Sequence, residues 1–131
     1  MMAVAQQVLV DTSVWVAHFR QRNAVLVRLL EADAVLMHPM VLAELRCGTP
    51  PAPREDTLKF LSLLAPARSA TLEETAQLVE AEQLYGLGCG VVDMMLLAST
   101  LITPATHLWT LDKRLAELAQ RFDVAFNELS D

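Results

Sequence analysis

The chain has 131 residues, 53% of them hydrophobic and 20% charged. That balance excludes a disordered chain, and at this length roughly two thirds of the unfolded surface can be buried, enough for one core. No apolar run reaches the ~18 residues of a membrane span, and a net charge of −6, from 10 basic and 16 acidic residues, argues at first sight against a nucleic-acid partner, whose affinity comes largely from Lys and Arg on phosphates.

The opening MMAVAQQ lacks the basic start of a secretory leader, so none is expected. Val8 to Val10 reads as a short buried strand. Thr12 or Ser13 can cap a helix running to about Phe19. Asn23 caps a second helix whose Val25, Leu26, Leu29 and Leu30 share one face. Ala34 to Met37 is a second strand. Pro39 suits the first turn of a third helix, MVLAELRCG, and Gly48 suits its C-terminal cap. Thr49 to Arg54 is a Pro-rich loop. A helix follows from about Glu55 to Leu64, ended by Pro66. Thr71 with Glu74 forms a capping box for a long helix to about Tyr85, which the glycines of GLGCG break. Val91 to Leu101 is a helix apolar nearly all round and therefore buried. His107 to Thr110 is a strand, Asp112 to Phe122 an amphipathic helix, and Val124 to Phe126 a short last strand. Strands alternating with helices predict an α/β fold with a parallel sheet, a single domain over residues 1–131.

Most of the acids, such as Glu73, Glu74, Glu80, Glu82 and Glu117, lie in polar helical phases or first turns and read as solvated. Four do not. Asp11 ends the first strand, Glu44 interrupts VLAEL, Asp93 interrupts GVVDMMLLAS, and Asp112 follows HLWTL. Ligand sites in parallel sheets gather outside the carboxyl ends of the strands, where Asp11 and Asp112 fall. Asp93 lies in the first turn of its helix, the end that favours an anion, and Glu44 is on the helix after the second strand. Four carboxylates on one edge repel each other by several kcal/mol unless a cation sits between them. Hard oxygen donors in this number suit Mg²⁺ or Mn²⁺.

The segments VLVDTSVWV, ELRCG, GVVDMMLLA and LWTLDKRL, in this order and spacing, resemble the PIN domain family, and within it the small VapC-type toxins of bacterial toxin–antitoxin pairs. The resemblance covers essentially the whole chain. It implies a three-layer α/β/α sandwich with a mainly parallel sheet, often dimeric, and metal-dependent hydrolysis of RNA by an activated water. It implies an antitoxin partner that occupies the active site and a cytoplasmic setting. Position by position, Asp11 and Asp93 become the principal metal ligands. Glu44 completes the site and holds a water, and Asp112 is the fourth acid. Ser13 and Thr110 match hydroxyls that steady carboxylates or water. Some members carry a further acid or Asn shortly after the fourth. Lys113 to Ala116 offers none, which counts against a strong second metal site.

The charge objection weakens once these four acids are set aside, because −6 becomes −2 and a divalent cation offsets two more. Arg20, Arg22, Arg46, Lys113 and Arg114 are the candidate phosphate contacts. Trp15 and Trp109 read as core, and none of His18, His38 and His107 is needed for catalysis. Cys47 and Cys89 lack metal-type spacing and read as free thiols. Two other functions compete. A phosphatase or phosphotransferase using Asp11 as nucleophile wants a second Asp two residues later, where Ser13 stands. A non-catalytic interaction module would use the acids only as caps.

Overall fold

The computed structural model describes residues 6–128, so residues 1–5 of the opening segment read above lie outside it. Four strands, β1 (Gln7–Val10), β2 (Val35–Met37), β3 (Ala65–Pro66) and β4 (Thr106–Trp109), alternate with seven helices. These are α1 (Thr12–Arg20), α2 (Ala24–Glu31), α3 (Pro39–Cys47), α4 (Arg54–Ser62), α5 (Leu72–Ala81), α6 (Val91–Ile102) and α7 (Lys113–Arg121). The sheet is parallel throughout in the order β3-β2-β1-β4, and with its helices it forms the expected α/β/α sandwich.

β1 is central because it is buried on both faces: Val8, Leu9 and Val10 are all at or below 2% exposure. It pairs with β2 through Val8↔Val35 and Leu9↔Leu36, and with β4 through Leu9↔Leu108 and Val10↔Trp109. The chain moves from β1 outward to β2 and β3, then returns to the other side of β1 for β4. The order therefore reverses between β1 and β4, and the crevice at their carboxyl ends is where such a sheet binds ligands. Asp11 follows β1 directly, and Thr110 follows β4.

The capping box of α5 is complete, with Thr71 Oγ1 accepting from Glu74 N and Glu74 Oε1 accepting from Thr71 N. Asn23 Oδ1 caps α2 through the amides of Val25 and Leu26. Four expectations need correction. The N-cap of α1 is Asp11, not Thr12 or Ser13, and its carboxylate makes no capping bond. Pro66 does not merely stop a helix: with Ala65 it forms the exposed edge strand β3, the place where a missing amide costs least. Helix α5 ends at Ala81 rather than near Tyr85, where Gln83 takes a left-handed φ of 56°. Val124 to Phe126 contributes a single bridge, Leu108↔Ala125, not a strand.

Trp15 and Trp109 are core residues, and Trp109 packs on Phe126 with ring centres 5.0 Å apart. Helix α6 buries Met94 and every residue from Leu96 to Thr100. His38 is buried and works structurally. Its Nδ1 accepts from Met40 N to cap α3, so Nε2 carries the proton and donates to Ser99 Oγ, 3.0 Å away. Ser99 Oγ also accepts from Ala70 N.

Candidate active site

Asp11 is 7% exposed, and a carboxylate so far out of water needs hydrogen bonds or a cation. Ser13 Oγ and Thr110 Oγ1 both donate to its Oδ2, at 2.7 and 2.8 Å. Each hydroxyl is oriented from behind by a loop amide. Leu111 N donates to Ser13 Oγ and Asp112 N to Thr110 Oγ1, both at 3.0 Å. With their lone pairs turned to those amides, the two protons are left to point at Asp11. The network crosses from β1 to β4 and converges on one oxygen, Oδ2, of Asp11.

Glu44 is exposed, midway along α3. It is held by Thr12 Oγ1, which donates to Glu44 Oε1 at 2.6 Å. Asp112 is the N-cap of α7, its Oδ1 accepting from Leu115 N at 2.9 Å. One of its oxygens thus has a structural task, and the other does not share it. Asp93 is half-buried in the first turn of α6. Its carboxyl is pushed above the ordinary aspartate range, first by burial and then by the charges of Asp11, Asp112 and Glu44, while hydrogen bonding with the Gly90 backbone pulls it back. All four acids therefore share one electrostatic neighbourhood at the carboxyl edge of the sheet.

They do not close on a common point. Among the described residues, no three His, Cys, Asp or Glu side chains stand near enough together to hold an ion between them. Mg²⁺ keeps several waters and is bound by one or two carboxylates, with substrate phosphates completing its shell. The donor set fits such a cation in kind: hard oxygens only, with Asp93 destabilised in its charged form until a positive charge arrives.

Of the basic candidates, Arg20 lines a cavity of about 330 Å³ with Glu44, Val16, Phe19 and Pro50. Lys113 and Arg114 follow Asp112 in the first turn of α7. The contact described for Arg46 is to Arg54, whose Nη2 donates to the Arg46 carbonyl. Arg22 lies near His18 and helps depress its pKa, after burial. Sequence reasoning missed Thr12 as the holder of Glu44. A hydroxyl beside Asp11 was the signal for Thr12. Cys89 is a free thiol as expected, its pKa pushed up by burial and then by Asp93 and Asp112, with Arg114 acting against them.

The model of the PIN domain family matches residues 8–121 of the chain, a span that contains all four acids. The sequence is also 40% identical to Ribonuclease VapC32 of Mycobacterium tuberculosis (strain CDC 1551 / Oshkosh) over 121 residues, 92% of this chain and 97% of the relative. The same values hold for Ribonuclease VapC32 of strain ATCC 25618 / H37Rv.

Proposed function

Since the chain belongs to the PIN domain family, we propose that it is a single-domain, Mg²⁺- or Mn²⁺-dependent endoribonuclease that acts as the toxin of a toxin–antitoxin pair. The observation that carries this reading is the placement of Asp11. It is a buried carboxylate at the end of the central strand, at the point where the strand order reverses, and Asp93 feels its charge together with those of Asp112 and Glu44.

Asp11 and Asp93 would hold the cation, with Glu44 and Asp112 completing the acidic rim. When bound, a divalent cation supplies a lowered pKa for a coordinated water and offsets charge on the scissile phosphate. The chain's own residues do the rest. Ser13 and Thr110 fix the carboxylate plane of Asp11. Thr12 holds one oxygen of Glu44 and leaves the other to accept a proton from an attacking water. Asp112 anchors α7 and so sets the position of Lys113 and Arg114 at the rim. No histidine takes part: His38 is committed to capping α3, and His18 Nδ1 accepts from Asn23 N.

The partners follow from the same reading: an RNA substrate, a cognate antitoxin that places a basic side chain among the acids, and a second copy of the chain in a homodimer, all in the cytoplasm. No helix among the described residues is long and apolar enough to cross a membrane. The biological test is induced expression in a bacterial host. Wild type arrests growth and Asp93→Asn does not. Equal growth arrest by the two would show that toxicity does not arise at this site.

A further inference from the structure

Gly88, between α5 and α6, has a φ of +88°, in the left-handed region that glycine occupies without penalty. The side chain of Arg114 lies against it. A Cβ added at Gly88 would meet Arg114 Nη1 at 2.5 Å, Cδ at 2.8 Å and Cζ at 2.9 Å. The guanidinium and the end of its stem thus rest on bare backbone, and any side chain at position 88 would displace them. The neighbouring Cys89 feels Asp93, Asp112 and Arg114 together, so this seat is at the rim of the acidic crevice.

The stability of α7 does not account for the placement. The first turn of α7 carries Lys113 and Arg114 and no acid, although cations are unfavourable at that end of a helix. Among the described residues Arg114 has no ion-pair partner. Its guanidinium fork is left to meet an anion. Asp93 and Asp112 act on the same Cys89 as Arg114 does, and carboxylates repel a polyanion. A guanidinium matches the paired oxygens of a phosphate, and a seated side chain loses little entropy when it binds.

We infer that Arg114, seated on Gly88, positions a substrate phosphate beside the carboxylates, and that Gly88 is present to leave room for it. This rests on the nuclease reading above. Arg114 is a positioning and binding residue for the RNA, and packing alone is the competing explanation. The two differ in what they do to RNA affinity.

The test uses the full chain and a fluorescein-labelled single-stranded RNA of mixed sequence, with binding followed by anisotropy in Ca²⁺ and cleavage in Mg²⁺. Arg114→Ala should weaken binding and raise KM by about tenfold, with kcat within about twofold. The slope of log affinity against log salt should fall by about 0.7, the value for one phosphate contact on a single strand. Arg114→Lys, which keeps the charge and loses the fork, should fall between. Gly88→Ala should weaken binding in the same direction in the wild type and add nothing in the Arg114→Ala background, because both changes remove one contact. A wild type that cleaves RNA while Arg114→Ala leaves affinity, KM and salt slope unchanged overturns this inference alone. Additive losses from Gly88→Ala and Arg114→Ala overturn the seating. A wild type that neither binds nor cleaves any RNA overturns the nuclease reading and this inference with it.

Discussion

Thr12 Oγ1 donates a 2.6 Å hydrogen bond to Glu44 Oε1, tying the first residue of α1 to the acid of α3. The two are separated by 32 positions in sequence, so the bond fixes the distance between the strand end that carries Asp11 and the helix that carries Glu44. A hydroxyl that orients a site carboxylate typically governs activity more than stability. Thr12→Val should therefore slow RNA cleavage by about tenfold while shifting the unfolding midpoint little, since Glu44 is exposed. Thr12→Ser should restore most of the rate. Steady-state cleavage beside thermal unfolding separates the cases, and a large loss of stability with normal cleavage would make the contact structural.

Ser13 and Thr110 act differently, because each both donates to Asp11 and accepts a loop amide. Ser13→Ala or Thr110→Val leaves one amide and part of a buried carboxylate without a partner. Each should cost about 1–3 kcal/mol, and the double variant should cost less than the sum because the partners are shared. Urea unfolding of the four proteins measures the coupling. Strict additivity would mean that the two hydroxyls do not form one network.

Asp93 sets a pH dependence of unusual sign. Its carboxyl is raised in the folded protein, first by burial and then by its acidic neighbours, so the folded state takes up a proton more readily than the unfolded state. The penalty is full near neutral pH. It is relieved as pH falls through the folded pKa toward the unfolded value near 3.8. In EDTA, Asp93→Asn should raise the melting temperature near neutral pH by a few degrees, on the order expected for a small stability gain. The same variant should shrink the stabilisation that Mn²⁺ gives wild type. Glu80→Gln, on an exposed face of α5, should do neither. A destabilised Asp93→Asn with an intact Mn²⁺ shift would make Asp93 a helix-end residue only.

His38 has a dependence of the opposite sign. Burial lowers its pKa from the ordinary 6.5, so the unfolded chain takes the proton first. Its contribution is present above 6.5 and is lost as pH falls toward the folded pKa. Protonation at Nδ1 would also abolish the cap on Met40 N. His38→Asn keeps a capping oxygen and removes the titration. Thermal scans from about pH 7.5 to about pH 5 should show wild type losing stability relative to this variant. Parallel curves would remove His38 from the account.

Much of this arrangement was legible in sequence because it depends on local pattern. The apolar run Val8 to Val10 ending in Asp11, the Thr71–Glu74 box and the apolar α6 interrupted by Asp93 each state their setting within a few residues. Strand β3 was not legible: Ala65 and Pro66 are exposed and carry no alternation, so only pairing with Leu36 and Met37 makes them a strand. The bond from Thr12 to Glu44 and the seat of Arg114 on Gly88 join residues from distant segments, and nothing in either segment names its partner. The cap of α1 was misassigned because both hydroxyls near Asp11 are drawn away from capping, one to Asp11 and one to Glu44.

The central claim is that the acidic crevice beside Asp11 hydrolyses RNA with a bound divalent cation. Its most direct measurement is cleavage of a panel of structured RNAs by purified, antitoxin-free protein in Mg²⁺ or Mn²⁺, with product ends identified. The account predicts 5′-phosphate and 3′-hydroxyl ends, with cleavage abolished by EDTA and by Asp11→Asn. Cleavage that survives EDTA or Asp11→Asn, or products ending in cyclic phosphates, would contradict it.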